Sequence, residues 1–123
     1  QVARTGSPEI DVFQVRYNAA HRGADKDVFP HLPEKMEVRP GLTTYTATRW
    51  GKLLDPRKMP PGEKPMTASD CYTFVLSNPH VDLCLTGPRN MEQMDEALRT
   101  LDRAPFTGEE MARAHRIGDH VHG

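Results

Sequence analysis

The sequence holds only two cysteines, Cys71 and Cys84, few aromatic side chains (7%) and no excess of either charge. Two thiols do not make a disulfide framework, and no charged-then-apolar leader stands at the start, so a reducing cytoplasm is expected. Sixteen basic residues against 17 acidic ones give a formal net charge of −1. That balance argues against the overall positive surface that attracts nucleic acid without sequence preference. Long hydrophobic runs are missing too: the apolar stretches, such as Val81 to Leu85, itself interrupted by Asp82, fall far short of the roughly 18 residues a membrane-spanning helix needs. The expectation is a soluble protein with no nucleic-acid and no membrane partner. A length of 123 residues allows one small domain or a piece of one. The start at Gln1 and a polar stub running almost directly into a strand read as a fragment or processed product.

What is present is an alternation of strand and helix signals. Residues 11–17 alternate apolar and polar side chains at strand period, and β-branched and aromatic residues are enriched there. Residues 25–32 predict a short helix with Val28, Phe29 and Leu32 on one side, stopped by Pro33. After the turn signal Pro40-Gly41, residues 42–47 predict a second strand. Pro56, Pro60, Pro61 and Pro65, with Gly51 and Gly62, then make residues 48–65 a long loop. Thr67 with Asp70 opens a helix over 68–78, where Tyr72, Val75 and Leu76 recur at helical spacing, and Pro79 ends it. Residues 81–86 predict a buried third strand. Asn90 with Gln93 caps a helix to about residue 103, with Met91, Met94, Leu98 and Leu101 lining one side as packing residues. Thr107 with Glu110 begins a last helix over 107–119, whose tail of His115, His120 and His122 is expected to be polar and frayed. Strands alternating with helices imply an α/β fold with parallel strands.

In such a unit ligands lie beyond the carboxyl ends of the strands, where helix N-termini offer free N–H groups to anions. That selects Arg16-Tyr17-Asn18, residues 45–54 and residues 86–93. In the last segment a strand runs into Gly87, then Arg89, then an Asn90-capped helix, which together make a phosphate seat in physical terms. The bland alternative is that Gly87 only turns the chain and Arg89 is a solvated charge.

Taken together, three stretches resemble the aldo/keto reductases: 11–18 ending in Tyr-Asn; 42–54 reading LTTYTATRWGKLL; and 81–98 reading VDLCLTGPRNMEQMDEAL. The likeness covers most of the chain. It implies the last three βα units of a (β/α)8 TIM barrel, followed by a C-terminal helix, and NADPH (NADP) as cofactor. Gln14 matches the glutamine that bonds the nicotinamide carboxamide, and Tyr45 the aromatic that stacks on its ring. Thr46, Ala47, Thr48, Arg49, Trp50, Gly51 and Leu53 match the region beside the pyrophosphate, with Ala and Thr standing where Pro and Leu are usual. Gly87, Arg89, Gln93 and Glu96 match the grip on the adenosine phosphate and adenine, with Ala97 where an asparagine is common. Arg89 favours a 2′-phosphate, hence NADPH over NADH. The family's catalytic Asp, Tyr, Lys and His belong to earlier strands, so no residue here is assigned a catalytic role. The full-length protein would reduce a small carbonyl substrate, aldehyde or ketone, and this chain alone would be inactive.

Other residues have plainer readings. His115, Asp119 and His122 stand at i, i+4 and i+7, a spacing that could present a metal site, yet the terminal position and Gly118 favour an exposed tail. His21 is placed at the border of the cofactor pocket. Cys71 and Cys84 read as small packing residues. Trp50 either covers the nicotinamide end or anchors its loop. Three strands cannot close a barrel, so association through open sheet edges is expected. The competing functions are a non-catalytic nucleotide- or partner-binding module and a stand-alone flavodoxin-like domain.

Overall fold

The computed structural model describes residues 10–33 and 39–122. The polar stub ahead of the first strand lies outside the described residues. Three strands, β1 (Val12–Arg16), β2 (Gly41–Tyr45) and β3 (Leu83–Cys84), form one open parallel sheet in the order β1-β2-β3. In register, Gln14 sits opposite Thr43, Arg16 opposite Tyr45, and Thr44 opposite Cys84. Four α-helices lie among the described residues: α1 (Ala24–Asp27), α2 (Ala68–Leu76), α3 (Met91–Leu98) and α4 (Gly108–His122).

Because side chains alternate along a strand, the sheet has two unlike faces. Leu42 and Thr44 point into the core, which they share with Leu53, Cys71, Phe74, Val75, Ala114 and Ile117. Tyr17 continues this side, its ring stacked on Phe74 at 5.7 Å and edge-on to Phe29 at 5.2 Å. The other face carries Val12, Gln14, Thr43, Tyr45 and Leu83 and is largely open to solvent. Arg39 crosses to the base of β3, donating to the His80 carbonyl and pairing with Asp82, whose other oxygen accepts from the Leu42 N–H at 2.7 Å.

Three helix starts follow from short side chains. Thr67 and Asp70 form a reciprocal capping box at α2, Thr107 and Glu110 do the same ahead of α4, and the Asn90 carboxamide accepts from the Gln93 N–H at α3.

Four expectations need correction. The first helix stops at Asp27 and restarts as a single 3-10 turn, Phe29–His31. Pro30 lacks the N–H an α-helix needs there, and its ring would press on the carbonyl four residues back. The third strand is two residues long and is an exposed edge rather than a buried one, with Leu83 49% exposed. The stripe Met91, Met94, Leu98 and Leu101 does not pack: Met91 is 74% and Leu101 77% exposed, because α3 meets α2 with its other side. Leu76, expected beside Val75, is exposed as well.

The fourth correction concerns the tail, which is helix to His122 with Ala114, Ile117 and Gly118 buried. Gly118 is why α4 can sit so close. A Cβ there would fall on the Ala19 carbonyl and crowd the Ala20 nitrogen, both of them backbone atoms that cannot swing away. At Gly108 a Cβ meets open space. Gly118→Ala is therefore expected to cost about 3 kcal/mol through overpacking, and Gly108→Ala to be neutral or to stabilise by up to about 1 kcal/mol. Urea unfolding of the two variants compares them, and equal midpoints would contradict the close approach.

Candidate functional site

At the carboxyl edge of the sheet the chain leaves β2 through an unusual backbone. Thr46, Arg49 and Trp50 have φ of 59°, 55° and 53°, and Gly51 follows at 81°. Left-handed backbone costs a residue with a Cβ roughly 1–2 kcal/mol, and Arg49, Trp50 and Gly51 adopt it consecutively. Strain of this kind persists only where the surroundings hold it. Here the Thr46 carbonyl accepts from Asn18 Nδ2 at 3.0 Å and from the Arg49 N–H at 3.0 Å. Thr48 accepts from the N–H groups of Gly51 and Leu53, and the Leu53 carbonyl takes the Met66 N–H. Leu53 itself is fully buried and plugs the loop into the core.

The loop faces a hollow of about 440 Å³ lined by Thr48, Trp50, Gly51, Gly87, Arg89 and Gln93, with Tyr72 beneath. A second hollow of about 440 Å³ adjoins it, sharing Leu54, Ala68 and Gln93 and reaching Glu96 and Arg99. Both α2 and α3 begin at this groove, with Thr67 and Ala68 at one N-terminus and Asn90 at the other. Two positive helix ends and Arg89, which forms no ion pair among the described residues, make it a seat for negative charge. The Arg89 N–H donates to Gln93 Oε1 at 2.9 Å, so Gln93 has only its NH2 group left for a ligand. Glu96 is engaged by Arg99 and by the Ser69 N–H.

The residues singled out from the sequence thus divide by position. Thr48, Trp50, Gly51, Gly87, Arg89 and Gln93 come together in one hollow, and Glu96 borders its neighbour. Gln14 and Tyr45 share the open face of the sheet, with Tyr45 at its carboxyl end. Ala47 and Leu53 are buried, so only their backbone could meet a ligand, and Thr46 bends the chain. Arg49 turns away into a separate basic hollow. Trp50, 66% exposed and lining the groove, does not anchor the loop; Leu53 does.

His21 does not border the groove. It lies in another hollow with Arg22, Asp119 and His122, its ring 6.5 Å from that of His122. Partial burial, then the charges of Arg16, Arg49 and His122, hold its pKa below the ordinary imidazole value. Asp119 is committed to Arg22 at 2.7 Å, and the His115 ring meets Phe74 edge-on. The Tyr17 hydroxyl donates to Asp25 at 2.9 Å, and burial pushes its pKa to about 12, as befits a core residue. Burial likewise raises the Cys71 thiol, which rules out a ready nucleophile there.

Sequence reasoning selected the strand end that closes with Asn18 but gave Asn18 no role of its own; it is fully buried and bonds both Thr46 and, through Oδ1, the Ala20 N–H at 3.0 Å. Its signal was its place at the end of a strand, where a carboxamide can both donate and accept. Asn18→Ala leaves the Ala20 N–H without its partner and the Thr46 carbonyl with only the Arg49 N–H, and is expected to cost about 2 kcal/mol. It should also lower the steady-state fluorescence anisotropy of Trp50 as the loop loosens. Unchanged stability and anisotropy would remove Asn18 from this role. No protein-family model matches the chain, and no curated protein sequence matches it.

Proposed function

We propose that the chain is the cofactor-gripping part of an NADPH-dependent carbonyl reductase of aldo/keto type, its sheet supplying the last three strands of an eight-stranded barrel. The observation that carries this reading is that the loops after β2 and β3 line one groove, with Thr48, Trp50 and Gly51 meeting Gly87, Arg89 and Gln93. The groove suits a dinucleotide's phosphates on three counts: two helix N-termini, a guanidinium without an ion-pair partner among the described residues, and bare backbone at Gly51 and Gly87 with open space before it. Gln14 and Tyr45, on the same open face two residues apart in register, would receive the nicotinamide end. NADPH, when bound, supplies the hydride that reduces the carbonyl. The chain's own residues bind and orient, and none among them is placed to protonate a substrate. Cytoplasmic location goes with this reading, and no helix among the described residues is long and apolar enough to cross a membrane.

The bare face of the sheet and the apolar stripe of α3 fit the same proposal. A parallel sheet is ordinarily covered on both faces, and among the described residues β3 is an edge strand of the sheet. Self-association through these surfaces is the expected behaviour of the isolated chain. Sedimentation velocity should show mass rising with concentration, and Met91→Glu with Leu101→Glu should shift the chain towards monomer. A monomer at all concentrations without the substitutions would contradict this.

The cofactor reading is tested by titrating Trp50 fluorescence with NADPH and NADH. NADPH is expected to quench and to bind more tightly, and Arg89→Ala to weaken it about tenfold, the equivalent of one charge-assisted hydrogen-bonded contact. No quenching by either nucleotide would sink the proposal. An unchanged affinity in the variant would take Arg89 out of the phosphate site.

A further inference from the structure

A second hollow, on the opposite side of the same loop, shares no lining residue with the groove just described. It measures about 400 Å³ and is lined by Arg49, Lys52, Arg57 and Lys58 from the loop and by His120, Val121 and His122 from the end of α4. No carboxylate among the described residues lines it. Four of the chain's 16 Lys and Arg side chains and two of its six histidines gather here, in a molecule whose overall charge is −1. Such a concentration does not follow from composition.

The charges are not equally free. Asp55 grips Arg57 with two bonds of 2.9 and 3.0 Å, which offsets that guanidinium. Arg49, Lys52 and Lys58 have no ion pair among the described residues. The carbonyl end of α4 contributes about half a negative charge, small against three unpaired cations. Arg49 adds an independent sign. Its Nε is buried and has no hydrogen-bond partner among the described residues, a state that is costly to maintain. Its backbone is held left-handed at φ 55°. An arginine kept in a strained conformation with an unmet donor is a group waiting for an acceptor.

We infer that this basic hollow binds a multiply charged phosphate group, with Arg49, Lys52 and Lys58 as its cationic contacts. Guanidinium and ammonium groups converging from one loop favour a compact anion with several oxygens over a single carboxylate, because a planar guanidinium engages two phosphate oxygens at once. A hollow of about 400 Å³ has room for a small organic phosphate as well as an inorganic one. The inference stands apart from the dinucleotide reading, since either hollow could be filled without the other.

Inorganic pyrophosphate is the probe. Calorimetric titration of the whole chain at low ionic strength should give one-to-one binding, at least about tenfold tighter than citrate. Lys52 and Lys58 are both exposed, so Lys52→Gln with Lys58→Gln leaves the fold intact and should weaken pyrophosphate by about tenfold or more. Arg89→Ala should leave it unchanged. Amide NMR shifts should cluster at residues 49–58 and 120–122. Four results would each overturn the inference: no binding, citrate binding as tightly as pyrophosphate, affinity unmoved in the double variant, or affinity lost in Arg89→Ala with shifts at residues 87–93. The last would place the anion in the groove and leave the dinucleotide reading standing.

Discussion

The carboxyl edge of this molecule depends on one buried carboxamide. Asn18 sits just past β1 with no exposed surface, donating to the Thr46 carbonyl and accepting from the Ala20 N–H, while its backbone exchanges two bonds with His21. Water cannot reach the site to replace any of these partners, so the ends of β1 and β2 are tied in one arrangement. Thr46 is thereby fixed in a left-handed conformation that its β-branched side chain disfavours. Once the chain turns there, the course of the next eight residues is set by the fully buried plug of Leu53. The loop after β2 is thus packed into the core through its own contacts.

The same sheet is finished on one side only. Leu42 and Thr44 are fully buried while Tyr45 and Leu83, in neighbouring positions, are substantially exposed. α3 repeats the asymmetry, its polar side turned to α2 and its apolar stripe to solvent. Surfaces patterned for burial but left bare are costly in water, and here they occur together, on the edge strand and on the helix that follows it.

What could be read from the sequence was local. The capping pairs at Thr67, Asn90 and Thr107 lie within three residues of the donors they satisfy, and all three were legible. The α/β order and parallel pairing were legible too, because period and turn chemistry carry them. Periodicity says that Met91, Met94, Leu98 and Leu101 share a side; it does not say what covers that side, and the expectation that they pack failed for that reason. Leu83 failed in the same way. The left-handed run was invisible because Thr46, Arg49 and Trp50 are not residues that announce such a backbone; only Gly51 did. Gly118 was read as a weakness in the last helix, whereas it is the point where that helix touches the chain after β1. The groove's main contributors were found, since strand ends and helix caps locate them. Arg49 was grouped with the residues of the groove but lines a different hollow, because the reversal between positions 49 and 50 is not written in the local sequence.

That reversal gives the strain a purpose. In an ordinary turn, neighbours such as Arg49 and Trp50 would cover one patch of surface between them. Held left-handed, they diverge: Trp50 faces the groove with Thr48 and Gly51, while Arg49 faces the basic hollow with Lys52. The two groups remain in electrical contact, the guanidinium carbon 5.8 Å from the indole centroid. A single short loop therefore forms a wall of two cavities. The buried Leu53 and the bonds to the Thr48 carbonyl hold the loop between them, whereas a glycine-rich loop could reach the same backbone without strain but would supply neither side chain.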